Sequence, residues 1–439
     1  MLASKRKRYL SGSDWVINTL DYMMKATTSS GNICQVVFVL KDPLPEQAVR
    51  NCLNHFVKQF PVLQGRVARD FKLTPYWKIP AVMERNVCLN VSQIPDGCSS
   101  ESLLPEMVHN ANSPFPDNEY LDFHLFTSLE RSVLAMRFDH RLFDARGAES
   151  FLNLFQKSLD DDSLSGDITF TSSMELTEWK SKFQAGKNVN RAIIALSKST
   201  PRSLPIQYAP ENGVRYRLLT FDKQETSVIY EKACREAGYL MESPFLLAVI
   251  TQSMHELCVS RTDSNSGSCY LIPVTMDLRP GKDPLQEVFF NHVSYLFYQI
   301  PVELGADLKG LITLLKQQMY DQVKSGFPRD LAAASLLTRI LPLSALGKLL
   351  YFPMNGKMAT FAFSHLGKSS YQSNQFMGSP IENIFHMPRV PAPPGLGFFS
   401  SLYDDRLNLV ISYLDGILTE EEIEKLEVGI RSKLGVMPE

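Results

Sequence analysis

The sequence predicts an α+β protein built from two lobes. Alternating apolar residues, typical of strands, and apolar residues at helical spacing both recur along the whole chain. With 439 residues, 44% of them hydrophobic, the chain has room for two domains of ordinary size with substantial cores. A segment with three prolines at 197–213 has the composition of a linker. We therefore expect an N-terminal lobe at 1–196, this linker, and a C-terminal lobe at 214–439.

The order of the helices and strands follows from apolar periodicity and from prolines that precede helices. The first half is predicted to contain a helix at 15–24, a strand at 33–40, a helix after Pro45, a hairpin formed by 122–127 and 132–138, a helix through 151–159 that ends in the acidic run 160–162, and a helix at 179–196. The second half is predicted to contain a strand at 216–221, a helix that begins with the capping-box residues Asp222 and Glu225 and ends near Gly238, a helix at 243–257, a strand at 270–279, helices at 307–324 and 331–351, a strand at 361–367, a hairpin within 395–413, and a terminal helix from Thr419.

The most apolar stretch, at 331–352, is interrupted by Arg339, Pro342 and Lys348. A membrane-spanning helix needs about 20 apolar residues in succession, so we predict no transmembrane segment. We expect a bent amphipathic helix that packs on the core, with contact to a membrane surface or an acyl chain as the alternative. The basic run Lys5–Arg8 is expected to be solvated, with nuclear or membrane-surface attraction as the alternative. No apolar signal-peptide core follows this run.

Charge and cysteine content narrow the class of protein. The 45 basic and 47 acidic residues give a net charge of −2, and no basic stripe is interleaved with aromatic residues, so nucleic acid is not an expected partner. The seven cysteines are scattered and lack a Cys-x-x-Cys pair. They are typical of reduced thiols in a cytosolic protein and not of zinc ligands or a disulfide framework. We therefore predict a cytoplasmic protein without a metal site, and expect a monomer.

The stretch Arg137–Gly147 is the best candidate for chemistry. Residues 132–138 have the pattern of a strand and 151–159 that of a helix, so His140 should lie on a short connection between them. Catalytic side chains concentrate on loops held by rigid elements, and a histidine can take up and return a proton near neutral pH. Asp144 could order the turn or pair with an arginine. By spacing alone, a surface turn with a solvated histidine is the alternative.

This stretch resembles the acyltransferase superfamily with the chloramphenicol acetyltransferase-like fold. The superfamily includes condensation domains of peptide synthetases, polyketide-associated acyltransferases, alcohol acetyltransferases and wax-ester synthases. Its signature is His-His-x-x-x-Asp-Gly, with the second histidine catalytic; here the match is Asp139-His140-Arg141-Leu142-Phe143-Asp144-Ala145. Asp139 replaces the first histidine and Ala145 the glycine. The resemblance runs in order from about residue 9 to 435, and it implies two similar lobes, each with a mixed sheet and flanking helices, with an active-site tunnel between them.

Asp277-Leu278-Arg279 resembles the Asp-Leu-Arg element of the same superfamily. In related enzymes an arginine from the other lobe pairs with the motif aspartate and fixes the catalytic loop. The resemblance therefore implies an ion pair between Arg279 and Asp144. The alternative is that Arg279 caps its own strand or bonds to Asp277.

Two further segments supply candidates for binding substrate or an oxyanion. Phe290–Ser294 resembles the family's Gly-Asn-x-x-Ser segment, with Phe290 where glycine is usual, and Phe361–Gly367 resembles the Ser-Asn-Leu-Gly strand end near the channel, with His365 in place of asparagine. The candidates from these segments are Asn291, Ser294, Ser364 and Gly367. Asp139 is a further candidate, since it could raise the basicity of His140 or could point away and cap the turn.

The resemblance implies direct acyl transfer from an acyl thioester to a small hydrophobic alcohol or amine, with His140 as general base. The donor would be acyl-CoA or an acyl carrier protein, so a coenzyme A thioester or phosphopantetheine serves as co-substrate and no cofactor is bound tightly. The departures at Asp139 and Ala145 favour an alternative, a non-catalytic binding or carrier-docking module. A serine hydrolase is disfavoured because the sequence has no Gly-x-Ser-x-Gly motif.

Overall fold

The structure is a computed structural model that describes residues 6–28, 30–99, 101–160, 179–207, 213–261, 267–279, 287–351, 357 and 359–436. In this part of the chain the helices are α1 (Gly12–Thr28), α2 (Glu46–Val57), α3 (Leu104–Asn112), α4 (Ala145–Asp160), α5 (Trp179–Leu196), α6 (Lys223–Ala237), α7 (Glu242–Ser260), α8 (Leu308–Lys324), α9 (Phe327–Thr338), α10 (Leu343–Tyr351) and α11 (Glu420–Leu434).

The strands of the described residues form two large sheets and a small one. They are β1 (Lys7–Tyr9), β2 (Ile33–Leu40), β3 (Arg66–Arg69), β4 (Pro75–Lys78), β5 (Cys88–Gln93), β6 (Leu121–Thr127), β7 (Ser132–Asp139), β8 (Val214–Phe221), β9 (Cys269–Asp277), β10 (Val293–Pro301), β11 (Ala362–Lys368), β12 (Gln375–Phe376), β13 (Ser379–Met387), β14 (Leu396–Tyr403) and β15 (Arg406–Leu414).

Each large sheet has six strands and is mixed. The first has the order β12-β13-β2-β7-β6-β5, in which only the β5–β6 pair is parallel among its described strands. The second has the order β10-β9-β11-β14-β15-β8, with parallel pairing of β11 to both β9 and β14. The small sheet has the order β1-β4-β3. The predicted α+β class with two lobes is therefore confirmed.

Three apolar clusters hold these layers together. In the first lobe, α2 and α4 cover the first sheet, and Phe56 lies 5.1 Å from Phe151 and 5.3 Å from Phe155 between ring centroids. In the second lobe, α7 packs on the second sheet, and Phe245 is fully buried in that cluster. A smaller cluster, which includes Val37 of β2 and Val410 of β15, joins the two sheets. Each such buried side chain contributes roughly 1.5–3 kcal/mol.

Many local predictions are confirmed. The strand predicted at 33–40 is β2 and the helix predicted at 179–196 is α5, with the same bounds. The Asp222 carboxylate accepts from the Glu225 amide at 2.8 Å, and the Glu225 carboxylate accepts from the Asp222 amide at 2.9 Å, so the capping box is formed. The apolar stretch after 331 is bent, as expected, because α9 ends and α10 begins on either side of Pro342.

The structure corrects three expectations. β13, within the lobe predicted at 214–439, pairs with β2 and so belongs to the first sheet; its pattern is broken by Pro380 and by a bulge between Ile381 and Asn383. A strand that starts near Arg66 was expected and is β3, whereas the short strands β4 and β5 and the long strand β10 were not predicted. Arg8, in the run expected to be solvated, is 5% exposed and forms an ion pair with a buried carboxylate.

Some expectations fall outside the described residues, namely the end of the acidic run at 161–162 and the linker residues 208–212. In the described part of the chain, no helix combines the length and the apolar content that a membrane crossing needs. The same residues contain no group of three or more His, Cys, Asp or Glu side chains arranged to hold a metal ion.

Candidate active site

His140 lies on the connection between β7, which ends at Asp139, and α4, which begins at Ala145. Its backbone is held from two sides. The His140 amide donates to the Asn32 carbonyl oxygen at 2.9 Å, just before β2, and its carbonyl oxygen accepts from Asn291 Nδ2 at 3.0 Å. The second contact comes from the other half of the chain, so the position of His140 depends on how both halves pack.

The imidazole of His140 is half-buried. Its Nδ1 atom is buried and has no hydrogen-bond partner among the described residues. No carboxylate of the described residues therefore orients this ring, unlike a catalytic triad, in which an aspartate holds the histidine. Orientation of His140 comes from the backbone contacts of its loop.

Asp144 fixes the loop after His140. The residue is 2% exposed, and its carboxylate accepts from Arg279 Nη2 at 2.5 Å, from the Gly147 amide at 2.9 Å and from the His292 amide at 3.0 Å. Burial by itself would raise the pKa of Asp144, but the Arg279 charge and these donors lower it below its usual value. Asp144 is thus a buried carboxylate whose ion pair and hydrogen bonds stabilise its charge.

Arg279 makes the ion pair that the resemblance implies, and it also makes the alternative contact. Besides Asp144, it bonds to Asp277 Oδ1 through Nη1 at 3.1 Å and donates from Nη2 to the Glu287 carbonyl oxygen at 3.1 Å. The Arg279 side chain is 11% exposed and that of Asp277 45%, so the pair with Asp144 is the buried one. Arg279 therefore ties the end of β9 to the His140 loop.

Asp139 points away from His140 and caps the turn, the second of the two roles considered for it. Its carboxylate accepts from the Arg141 amide at 2.9 Å, from Arg141 Nε at 2.9 Å and from Arg141 Nη2 at 2.5 Å. Burial would raise the pKa of Asp139, and Arg141 lowers it instead. A carboxylate bound in this way would repel an oxyanion.

Asn291 and Phe290 join the second half of the chain to the loop. The Asn291 amide donates to the buried carboxylate of Asp14 at 3.0 Å, while the Phe290 amide donates to the Leu142 carbonyl oxygen at 2.6 Å. Phe290 has φ +72°, in the left-handed region that favours glycine. A glycine would adopt this backbone freely, whereas Phe290 adopts it at the expense of strain.

The other candidates lie in the second sheet, and their hydrogen bonds do not reach the His140 loop. Ser294 Oγ donates to the Pro328 carbonyl oxygen at 2.7 Å, which makes it a link to α9. Ser364 Oγ is 2.6 Å from Thr275 Oγ1 across β11 and β9. Gly367, near the end of β11, has φ +66°, a conformation that only glycine adopts without strain. The described hydrogen bonds thus tie Ser294 to α9 and Ser364 to β9.

Several residues at the site were missed by the sequence analysis. Arg146, at the start of α4, donates to the carbonyl oxygens of Leu366 and Lys368, the latter at 2.6 Å, and so fastens β11 to the loop. Gly147 is required here because a Cβ atom would clash with the Val288 carbonyl oxygen. Helical spacing did not distinguish these residues from others on α4, since their partners lie far away in sequence.

A buried pair of Glu149 and His386 connects α4 to β13, in addition to the Arg146 contacts that connect α4 to β11. His386 Nε2 lies 2.9 Å from Glu149 Oε1, and Glu149 Oε2 accepts from the Ser370 amide and hydroxyl, each at 2.7 Å. Burial would raise the pKa of Glu149, but the His386 and Ser370 hydrogen bonds and the Arg146 charge lower it to about 2. Glu149 is therefore ionised, and α4 is anchored at its first two turns.

The fold is that of solved acyltransferases and condensation domains. The trichothecene 15-O-acetyltransferase of Fusarium sporotrichioides matches with a TM-score of 0.72 at 14% identity, over 98% of this chain and 95% of that chain. The first condensation domain of the CDA synthetase matches with a TM-score of 0.71 at 14% identity, over 98% and 95%. The starter condensation domain of the rhizomide synthetase RzmA, in complex with C8-CoA and Leu-SNAC, matches with a TM-score of 0.68 at 12% identity, over 99% and 95%.

No protein-family model matches the sequence, and no curated protein does. The similarity to the solved structures extends over nearly the whole chain and confirms the predicted chloramphenicol acetyltransferase-like fold. A shared fold does not specify a function, which depends on the residues of the site.

Proposed function

We propose that the protein is an acyltransferase that moves an acyl group from an acyl thioester to an alcohol or amine, with His140 as general base. The observation that carries this proposal is the His140 loop itself. A half-buried histidine, free at Nδ1 within the described residues, stands on a loop fixed by a buried ion pair between the two halves of the chain. That arrangement holds a proton acceptor in one position, and no side chain of the described residues occupies its Nδ1 atom.

The proposed reaction is a direct transfer. The acceptor oxygen or nitrogen attacks the thioester carbonyl carbon while His140 takes the acceptor's proton. The tetrahedral intermediate then collapses, the carbon–sulfur bond breaks, and the imidazolium returns the proton to the leaving thiolate. The products are an ester or amide and a free thiol. Base catalysis of this kind is typically worth ~10²–10⁴-fold, and alignment of the two substrates supplies a further part of the rate.

Asp144 and Arg279 act as positioning residues in this proposal. Their charges are committed to each other and to backbone groups, so neither is available to exchange a proton with substrate. Their effect on His140 passes through the Asn291 contact and through the turn that joins β7 to α4. A small shift of the imidazole is enough to reduce transfer, because reacting atoms must approach to about 3–3.5 Å.

The donor in this proposal is a coenzyme A thioester or an acyl-phosphopantetheine on a carrier protein, and the acceptor is a small hydrophobic alcohol or amine. The RzmA condensation domain, with which this chain shares its fold, was solved with C8-CoA and Leu-SNAC, a combination of an acyl thioester and an aminoacyl thioester. Ser364 and Gly367, at the β11 end that Arg146 fastens to the loop, are the proposed contacts to substrate.

The proposal is tested with the full chain by measuring free-thiol release from a panel of acyl-CoA donors, with intact-mass detection of acylated alcohols and amines. We expect transfer by the wild type and its loss in His140→Ala. His109→Ala is the matched control, because His109 is exposed on α3 and should leave turnover unchanged. Turnover retained in His140→Ala would remove the histidine from the mechanism. Binding of a carrier protein or hydrophobic ligand without transfer to any acceptor would favour the non-catalytic module.

A further inference from the structure

The hairpin of β3 and β4 has an exposed tip at which the apolar residues Phe71 and Leu73 flank Lys72, whose ammonium lies 5.4 Å from the Phe71 ring centroid. Phe71 is 89% exposed and Leu73 is 58% exposed, and Ile340, which is 52% exposed, lies beside them. Arg69 establishes this neighbourhood, since its Nη1 donates to the Leu73 carbonyl oxygen at 2.5 Å and to the Ile340 carbonyl oxygen at 3.1 Å. Single exposed apolar residues are common, whereas a group of them marks a surface that contacts something else.

The backbone at the tip adds a second observation. The Leu73 amide donates to the Asp70 carbonyl oxygen at 3.0 Å, which closes the turn, and Leu73 itself has φ +63°. In a three-residue hairpin loop this left-handed position is normally taken by glycine. A leucine there is strained and gains little burial within the chain. Burial of the Leu73 side chain within the described protein therefore offsets little of the cost of its left-handed backbone.

Three cationic side chains lie side by side on β1, β4 and β3, at the end of the small sheet away from the tip. Lys7 of β1 and Arg66 of β3 are each directly opposite Lys78 of β4, and all three side chains are exposed. Like charges directly opposite in a sheet repel one another, and the described residues provide no ion pair for these three. Asp70 is the one carboxylate of segment 66–78; it accepts from the Lys72 and Thr74 amides of the hairpin loop at 2.9 Å and from the Tyr9 hydroxyl at 3.3 Å.

The order of these groups along the hairpin matches the order of layers at a membrane surface. Phe71 and Leu73 come first, with the exposed Lys72 between them; the half-exposed phenol of Tyr9 follows. Arg66 and Lys78 lie five residues from the tip, about 16 Å at ~3.3 Å per residue. Apolar groups of peripheral proteins enter the acyl boundary to a depth of ~5–10 Å, tyrosines favour the headgroup level, and cations favour anionic phosphates. We propose that segment 66–78 together with β1 docks this protein on an anionic lipid surface.

A lipid surface explains this arrangement better than an acidic protein partner does. An acidic partner would account for Lys7, Arg66 and Lys78, but it would give no reason for Phe71 and Leu73, two exposed apolar side chains at the outer end of the hairpin. A bilayer satisfies both sets of groups at once. The inference does not depend on acyl transfer, because docking requires only the hairpin and its neighbour strand.

The test is co-sedimentation of the full chain with phosphatidylcholine vesicles and with vesicles that contain about one third phosphatidylserine. We expect binding to the anionic vesicles that weakens as salt is raised, because exposed charges are screened. Phe71→Ser and Leu73→Gly should each weaken binding roughly tenfold or more. Lys7→Gln and Lys78→Gln should each weaken it roughly fivefold. Leu73→Gly should not lower the thermal midpoint, because glycine adopts this backbone without strain.

The chain offers a matched control at the junction of α6 and α7. Leu240 is 68% exposed with φ +58°, and its neighbour Tyr239 is 80% exposed. Both residues lie between two helices, away from the strands β1, β3 and β4 that carry Lys7, Arg66 and Lys78. Tyr239→Ser and Leu240→Gly should therefore leave vesicle binding unchanged. Absence of wild-type binding to anionic vesicles overturns the proposal, and so does an equal loss in the control variants. Hairpin-dependent capture of an acyl carrier protein without vesicle binding would replace the membrane by a protein partner.

Discussion

Phe290 and Leu73 share a left-handed backbone, with φ +72° and +63°, in opposite surroundings. Phe290 is fully buried, with its ring centroid 5.8 Å from that of Trp77 and 3.8 Å from the Arg8 guanidinium, whereas Leu73 is 58% exposed. This conformation costs an L-residue about 1–2 kcal/mol, and burial of a phenylalanine offsets that cost. The segment beside the His140 loop is thus specified by contacts inside the protein, and the hairpin tip is not.

The largest effect should come from breaking the ion pair inside the His140 region. Arg279→Leu leaves the Asp144 carboxylate buried without its counter-charge, which should lower the free energy of unfolding by about 3–5 kcal/mol. Urea unfolding followed by circular dichroism measures this change.

An exposed ion pair provides the control for that measurement. Arg50 and Glu46 are 2.7 Å apart, with side chains 36% and 48% exposed, so Arg50→Leu should change stability by less than about 1 kcal/mol. The double variant Arg279→Leu with Asp144→Asn should recover part of the loss. Equal losses of stability in Arg279→Leu and Arg50→Leu would contradict the expectation that the buried Arg279–Asp144 pair contributes more than an exposed pair.

Substitution of Phe290 tests whether burial of its ring offsets the cost of its left-handed backbone. Phe290→Gly removes the backbone strain but also removes a buried ring, so it should destabilise the protein by about 2–4 kcal/mol in urea unfolding. A stabilised Phe290→Gly variant would mean that strain outweighs packing at the junction, the reverse of the balance expected for a fully buried ring.

Acid should weaken the contact between α4 and β13 through Glu149. Its pKa is lowered to about 2 from the ordinary 4.5, so its ionisation stabilises the fold above about pH 4.5, and this contribution is lost as the pH falls towards 2. Between about pH 5 and pH 3 the wild type should lose about 2 kcal/mol more than Glu149→Gln, which cannot ionise. Urea unfolding of both proteins at the two pH values tests this, and parallel losses would contradict it.

The smallest effect is expected at the hairpin. Leu73→Gly relieves the strain and removes a side chain that has little burial, so stability should rise or fall by less than about 1 kcal/mol. Thermal unfolding of this variant beside Phe290→Gly gives the contrast in one experiment. A large loss in Leu73→Gly would show that the leucine supports the fold after all.

Local sequence signals predicted the parts of the fold that depend on neighbouring residues. Apolar alternation at 132–138 predicted β7, and the spacing of Asp222 and Glu225 predicted a cap that is formed. Partners distant in sequence were out of reach of such signals. β13 joins the first sheet through its pairing with β2, and Arg8 is buried against Asp14 and against the ring of Phe290, which lies far away in the sequence.

At the site, the resemblance identified Asp144 and Arg279, and the structure brings the two together. The spacing of the motif could not decide the direction of Asp139, since its partner Arg141 could equally have faced solvent. The anchors Arg146 and Glu149 were missed because their partners lie on β11 and β13, more than 200 residues later in the chain.

The central claim is that His140 carries out proton transfer while Asp144 and Arg279 only hold its loop. The most direct measurement is kcat/KM for free-thiol release together with the urea midpoint, in the wild type and in His140→Ala and Asp144→Asn. We predict that His140→Ala lowers kcat/KM by about 10²–10⁴ with an unchanged midpoint, and that Asp144→Asn lowers both. Turnover at the wild-type rate in folded His140→Ala would contradict the claim.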